Sequence, residues 1–329
     1  MRYFVTGAAG FIGSHFVREL LAGSYGVEPL GVTVFDKLTY AGNLENLALV
    51  SGDPRFTFIR GDICDGDLFN DVLPGHDVVV NFAAETHVDR SIHGPQDFVV
   101  TNVVGTQTIL DACVRHGIPR TVHIGTDEVY GSIDEGSWTE DEPLKPNSPY
   151  SAAKAAAEML VRAYNVTYGL NVSSTRCSNN YGPYQFPEKV IPLFVTNLID
   201  GNKVPLYGDG LNVRDWLHVD DHCRGIAIVI EKGQPGQSYN IGGGLELNNR
   251  ELTERVLAAM GADWSMVQPV DDRKGHDRRY SVDDSRVRAM GYVPQRTFDE
   301  GLAETVEWYR SNEDWWRPLK ERAAITVTR

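Results

Sequence analysis

Seven residues near the start of the chain, Gly7-Ala8-Ala9-Gly10-Phe11-Ile12-Gly13, constrain the fold more than any other stretch. They follow a short apolar run, residues 2–6, that reads as a strand. They lead into Ile12, Phe16, Val17, Leu20 and Leu21, apolar residues at helical spacing. Glycines at intervals of three between a strand and a helix let the backbone turn sharply and approach a pyrophosphate. The phosphate then rests on the first amides of the helix. Such a turn alone suits any tight strand–helix junction, but Asp36 closes the next strand-like run, 31–35. A carboxylate there accepts hydrogen bonds from the ribose hydroxyls of adenosine and repels a 2′-phosphate. This favours NAD over NADP, with the neighbouring Lys37 pulling the other way.

Further strand-like runs at 56–59, 77–82, 121–124 and 172–176 alternate with helical stretches, notably 97–116 and an alanine-rich helix starting near Ser148. This alternation predicts an α/β fold, a Rossmann-type doubly wound parallel sheet. Asp62-Ile63 follows the third strand, where a carboxylate can meet the adenine amino group, and the small Ala83-Ala84 follows the fourth. Beyond about residue 178 the pattern loosens. Asn, Pro, Gly and aromatic residues at 178–187 and 205–212 read as loops shaping a ligand site. Strands are expected at 214–219 and 238–241, and helices at 220–231, 250–260 and 298–310. The expected division is a dinucleotide-binding domain, 1–177 plus about 211–240, interleaved with a smaller mixed α/β substrate domain, about 178–210 plus 241–329.

Composition narrows the partners. Thirty-one Lys and Arg against 45 Asp and Glu leave a net charge of −14, which does not attract nucleic acid. Cys64, Cys113, Cys177 and Cys223 lie far apart and match no metal-binding or redox spacing, so no metal is expected. No apolar run reaches the ~20 residues that span a bilayer. The chain reads as a cytoplasmic protein without a membrane partner.

Two short motifs carry chemistry. Tyr150-Ser151-Ala152-Ala153-Lys154 places a phenol and an ammonium at i and i+4 on one helix face. A tyrosine near its ordinary value of ~10 is a poor base, but a nearby ammonium and a positive nicotinamide favour phenolate. Thr126-Asp127-Glu128 directly follows the fifth strand, where ligands bind in a doubly wound sheet. Two adjacent carboxylates in a closed site do not both ionise cheaply, so one keeps its proton. One acid and one base suit an elimination that removes a C–H proton while a hydroxyl leaves as water.

With these motifs the chain resembles the extended short-chain dehydrogenase/reductase family, and over almost its whole length it is similar to the dTDP-glucose 4,6-dehydratases. The match is carried by the glycine turn, Asp36-Lys37-Leu38-Thr39-Tyr40-Ala41-Gly42-Asn43, Phe82-Ala83-Ala84-Glu85-Thr86-His87-Val88-Asp89-Arg90-Ser91, Thr126-Asp127-Glu128-Val129-Tyr130-Gly131 and Tyr150 to Lys154. It continues through Asn179-Asn180-Tyr181-Gly182-Pro183-Tyr184, Tyr207-Gly208-Asp209-Gly210, Arg214-Asp215-Trp216, Tyr239-Asn240-Ile241-Gly242-Gly243 and Arg273-Lys274-Gly275-His276-Asp277-Arg278-Arg279-Tyr280.

The resemblance implies a homodimer that dehydrates dTDP-glucose to dTDP-4-keto-6-deoxyglucose with a tightly bound NAD regenerated in each turnover. Tyr150 would deprotonate the 4-hydroxyl as C4 gives up hydride, with Thr126 touching substrate and Lys154 holding the nicotinamide ribose. Glu128 would remove the C5 proton, and a protonated Asp127 would donate to the departing 6-hydroxyl. The implied cofactor contacts are Gly7, Gly10, Phe11, Ile12, Gly13, Asp36, Lys37, Leu38, Thr39, Gly42, Asp62, Ile63, Ala83, Ala84, Glu85, Thr101, Tyr150, Lys154 and Asn180. The implied substrate contacts are Thr86, His87, Thr126, Asn179, Lys189, Val190, Pro205, Leu206, Tyr207, Arg214, Asn249, Arg273, His276 and Tyr280. Among them Lys189, Arg214, Arg273 and His276 are candidate diphosphate partners.

Three rival readings remain open at this point. A nucleotide-sugar 4-epimerase shares the fold, Asp36 and the Tyr–Lys pair, but needs no C5 base or C6 acid. A GDP-mannose 4,6-dehydratase or UDP-glucuronate decarboxylase typically keeps part of the carboxylate pair. A non-catalytic NAD-binding module usually lacks the tyrosine or lysine.

Overall fold

The computed structural model describes residues 1–272 and 275–327. Its first half alternates strand and helix: β1 Arg2–Thr6, α1 Phe11–Leu21, β2 Gly31–Asp36, β3 Phe56–Arg60, α2 Gly66–Val72 and β4 Val78–Asn81. Short helices α3 Val88–His93 and α4 Pro95–Val99 precede a π-helical stretch, Val100–Gly105, and α5 Thr106–His116. Then come β5 Arg120–Thr126, a 3₁₀ turn at Asp127–Tyr130, α6 Pro149–Tyr168, β6 Val172–Cys177 and β7 Asn179–Tyr181. The remainder holds α7 Val190–Ile199, β8 Val204–Tyr207, β9 Val213–His218, α8 Val219–Lys232, β10 Ser238–Ile241, β11 Glu246–Asn248 and α9 Asn249–Met260. It ends with β12 Val267–Val270, α10 Ser285–Arg288, α11 Phe298–Ser311 and α12 Glu313–Val327.

Seven parallel strands form the main sheet in the order β10-β6-β5-β4-β1-β2-β3. Sequence order reverses between β1 and β4, so the strand ends there face the crevice of a doubly wound sheet. Both faces are covered. Phe16, Val17 and Leu20 of α1 and Ile226 and Val229 of α8 bury one face. Ile109, Leu110 and Cys113 of α5 and Val161 and Tyr164 of α6 bury the other. That two-sided burial explains why β4 and β5 are buried along their length instead of alternating.

A smaller unit packs its own core around Tyr181, Phe194, Trp216, Leu252, Leu302 and Trp316. It contains a three-stranded sheet, β11-β9-β7, and a two-stranded one, β12-β8. Three sequence expectations change here. Residues 205–207, read as the start of a loop, belong to strand β8, because β12 pairs with it in parallel from far along the chain. β9 hydrogen-bonds to β7 and β11 in the small sheet, while α8 directly after it returns to the main one. The helix expected over 97–116 is broken by the π-helical stretch. No helix among the described residues is long and apolar enough to cross a membrane.

Candidate active site

The C-terminal ends of the main sheet open into a cleft of about 620 Å³ that runs from the glycine turn to Tyr150. Gly7 lies at φ 66°, and a Cβ on it would stand 2.4 Å from the Ala83 amide nitrogen. A Cβ on Gly13 would stand 2.7 Å from the Gly7 carbonyl oxygen. Only hydrogen fits at either place, which leaves a bare backbone cradle at the start of α1. Gly10, Phe11 and Ile12 complete it on the cleft wall.

Asp36 ends β2 beside this cradle. Its carboxylate accepts the Ala9 N–H at 2.9 Å and the Leu38 N–H at 2.8 Å. Burial pushes its carboxyl up, against the pull of these two bonds. Leu38, expected to touch the cofactor, is absent from the cleft wall. Its side chain packs against the main core, and its contribution is the backbone bond to Asp36. The charge of Lys37 is matched by Asp62 at 2.6 Å, so it offers little to attract a 2′-phosphate. Thr39, Gly42, Ile63, Ala83, Ala84, Glu85 and Thr101 all line the cleft as expected, Thr101 from the π-helical stretch. Wide helical turns of this kind recur at functional sites. A glycine cradle, a ribose-side carboxylate and small residues across the sheet edge together fit a dinucleotide.

At the other end of the cleft, β5 finishes in Thr126, whose Oγ1 accepts the Glu128 N–H at 3.3 Å and so caps the 3₁₀ turn. Asp127 is 3% exposed. Its Oδ1 accepts the Thr126 hydroxyl at 3.4 Å, while its buried Oδ2 accepts no hydrogen bond among the described residues. Burial, then the charges of Glu128 and Asp215, hold its carboxyl well above the usual range, which favours the protonated form. Glu128 lines the cleft beside it.

Ser148 opens α6 with a capping box, and Pro149 takes the first turn, which sets Tyr150 and Lys154 on the buried face. Burial first, then Glu128, pushes the Tyr150 phenol well above 10, while the Thr126 hydroxyl acts the other way. Lys154 donates to the Ile124 carbonyl at 2.6 Å, and burial pulls it down to about 8. The expected phenol–ammonium activation is therefore weaker in the protein alone than the i, i+4 spacing implied, because burial outweighs it.

The expected substrate residues divide into two groups. Thr86, Asn179 and Lys189 line the cleft with Asn180, and Lys189 donates to the Thr86 carbonyl at 3.2 Å. The Asn180 side chain is oriented by His222, whose Nδ1 lies 2.8 Å from its Oδ1. His87 caps α3 just behind, 4.0 Å from Glu188, and Val190 opens α7. The second group lies outside the cleft lining, on the small unit. Arg214 stacks over Tyr280 at 4.2 Å and donates to the Asp277 carbonyl at 2.9 Å. Tyr280 donates to the Asp277 carboxylate at 2.6 Å, and His276 pairs with Asp272 at 2.6 Å. The Asn249 amide bonds the Asn212 carbonyl nearby, and Pro205, Leu206 and Tyr207 lie on β8. Charge from Glu128 reaches Tyr280, and charge from Arg214 reaches Asp127, so this shelf adjoins the carboxylate end of the cleft. Arg273 lies outside the described residues.

Sequence reasoning missed several residues. Arg90 donates twice to Glu188, at 3.1 and 2.9 Å, and stacks over Tyr40 at 3.9 Å beside the cleft. Trp315 and Leu319 of α12 also reach the wall, and Trp315 donates to Asn46 at 2.9 Å. Asp215 ties Ser178, Gly243 and Leu245 together behind Asp127. Glu188 stood next to the predicted Lys189 and was the one detectable signal; the others depend on contacts far along the chain.

Comparison with known proteins bears on the whole chain. The GDP-mannose 4,6 dehydratase family model matches residues 4–305. A dTDP-glucose 4,6-dehydratase of Streptomyces antibioticus is 60% identical over 98% of this chain and 97% of its own. The crystal structure of a dTDP-glucose 4,6-dehydratase of Streptomyces venezuelae, DesIV, with NAD and TYD bound superposes with a TM-score of 0.96. That protein is 62% identical, over 97% of this chain and all of the other. A UDP-glucose 4-epimerase of Thermotoga maritima superposes at 0.87 with 31% identity, covering 95% of this chain and all of the other.

Proposed function

The chain belongs to the dTDP-glucose 4,6-dehydratase family, NAD-dependent hydro-lyases of the short-chain dehydrogenase/reductase type, and we propose the following roles for the residues of its cleft. The pyrophosphate of NAD sits on Gly7 to Gly13, its adenosine ribose on Asp36, and its nicotinamide half against Thr101, Asn180, Tyr150 and Lys154. NAD, when bound, accepts hydride from C4 of the sugar, returns it at C6, and brings a positive ring that offsets the burial of the phenol.

Tyr150 takes the proton of the 4-hydroxyl, with the Thr126 hydroxyl holding the same oxygen. The ketone formed at C4 acidifies the C5 proton, which Glu128 removes. Asp127 supplies the proton with which the 6-hydroxyl leaves as water, and C5 is reprotonated at the end. Thr86, His87 and Asn179 hold the sugar. Lys189, Val190, Pro205 to Tyr207, Arg214, Asn249, Arg273, His276 and Tyr280 hold the nucleoside diphosphate.

One observation carries this reading: a buried Asp127, its carboxyl pushed up by that burial, beside a cleft-lining Glu128 at the strand end next to Tyr150. A 4-epimerase has no use for that pair. Incubation with dTDP-glucose in D₂O tests it. Loss of one water with deuterium at C5 supports the assignment; dTDP-galactose of unchanged mass would refute it.

Two coarser features follow the same reading. Residues 1–177 with about 211–240 hold the cofactor, and about 178–210 with 241–329 hold the nucleotide, β9 being the strand shared between them. The enzyme acts as a cytoplasmic homodimer paired through the α5 and α6 helices. Val100, Val104, Met159 and Val166 stand exposed on that side and would be covered by a second copy. Four free cysteines are consistent with a reducing compartment.

A further inference from the structure

Tyr150 and Lys154 sit on α6, whereas Asp127 and Glu128 sit on the turn after β5, so the two chemical steps rely on groups from separate elements. Behind both lies a buried polar chain that the reaction does not use. Glu158 is on α6, one turn beyond Lys154. Its Oε1 accepts from Arg176 Nε at 2.8 Å, from Ser174 at 2.8 Å and from Ser238 at 2.9 Å. Arg176 and Glu158 are only 6% and 4% exposed. Arg176 lies opposite Gly125 in the β5–β6 register and donates to the Tyr130 hydroxyl. The Tyr130 hydroxyl in turn donates to Asn240 on β10 at 2.8 Å. Asn240 is itself held by the Trp138 and Asp283 carbonyls, at 2.9 and 3.0 Å. Tyr130 closes the same 3₁₀ turn that begins with Asp127.

A buried ion pair gives little stability over apolar residues of the same volume, because desolvation consumes the Coulombic gain. What it provides that apolar packing lacks is direction. Hydrogen bonds are directional, and Arg176 reaches from Glu158 on α6 to Tyr130 on the turn, so the position of the turn relative to α6 is specified through them. We propose that Glu158, Arg176 and Tyr130 are positioning residues that lock the carboxylate turn to the tyrosine helix, so that elimination follows oxidation before the ketone intermediate escapes. The proposal rests on the roles given above for Tyr150, Asp127 and Glu128.

The decisive variant is Tyr130→Phe, which keeps the ring stacked on Trp138 and removes only the hydroxyl. Tyr150 keeps its own supports, the Ser148 cap and the Lys154 bond to Ile124, so oxidation should proceed. Misplacing the turn should slow product formation by about 10- to 100-fold. KM for dTDP-glucose and the NAD content of the purified protein should stay unchanged. Reduced nicotinamide should accumulate in its near-ultraviolet band, and a keto sugar that has not lost water should appear by mass spectrometry. Wild-type turnover without reduced nicotinamide would overturn the proposal, and so would a loss of rate explained by a raised KM. Glu158→Gln, which keeps the shape of the pair and weakens it, should also let reduced nicotinamide accumulate. It should move the Lys154 limb of oxidation to lower pH, because the Glu158 charge holds that ammonium up, and it decides the matter if the first variant is insoluble. The wild-type enzyme is assayed alongside: if it releases no water from dTDP-glucose, the functional reading falls and takes this proposal with it. Normal wild-type turnover beside an unaffected variant would sink the proposal alone.

Discussion

Asp127 and Glu128 are neighbours in the chain with opposite surroundings, and that difference assigns their chemistry. Asp127 is enclosed, and burial pushes its carboxyl up; Glu128 faces the cleft. Asp127→Asn keeps a hydrogen-bond donor but has no proton to give, so elimination should slow by roughly 10²–10⁴ while oxidation persists. Rapid-mixing absorbance would show reduced nicotinamide rising and staying. Lys154 sets a pH limb: its ammonium is present below about 8 and lost above it. The single-turnover oxidation rate should therefore fall as pH rises through about 8. Lys154→Arg, charged throughout, should remove that limb even if the rate is lower. These residues were legible in the sequence because each sits at a fixed offset from a strand end or within one helix turn. Arg90 and Asp215 were not, since their roles come from partners that only the folded chain brings near.

At the scale of elements, α6 is the most informative helix. Its start near Ser148 was expected from the sequence, and the structure adds a capping box in which Ser148 and Ser151 satisfy one another's amides. Ser148→Ala should cost about 1 kcal/mol, seen as a lower urea midpoint. It should also lower oxidation more than elimination, because Tyr150 lies in the first turn. The long strands and helices of the main sheet were readable from apolar runs and periodicity. β7, β8 and β11 were not: they are three or four residues long, β8 contains Pro205, and their pairing comes from sequence-distant partners. The π-helical stretch was equally hidden: its Val, Thr, Asn and Gly residues are weak helix formers, but nothing in their spacing separates a wide helical turn from an α-helical one.

For the whole molecule, the homodimer proposed above makes one prediction. A patch formed by Val100 and Val104 with Met159 and Val166 is more apolar than an isolated face of a protein this acidic would need. Met159→Glu or Val166→Glu should shift the sedimentation velocity profile from dimer toward monomer while leaving far-ultraviolet circular dichroism intact. An unchanged dimer would place the interface elsewhere. The α/β architecture could be anticipated as a whole, but the place of β9 in the small sheet, between stretches of chain that join the main one, could not, because strand pairing is chosen by three-dimensional neighbours. That detour bears on how the chain is made. β6 is an outer strand of the main sheet until β10 pairs with it, and roughly 60 residues, the first strands of the small unit and α8 among them, are translated in between. At about 5–20 residues per second, the growing chain carries an unpaired strand edge for roughly 3–12 s. During synthesis, then, the nascent polypeptide is most exposed to wrong pairing just after residue 177 leaves the ribosome, and a chaperone that shields strand edges would matter most in that interval.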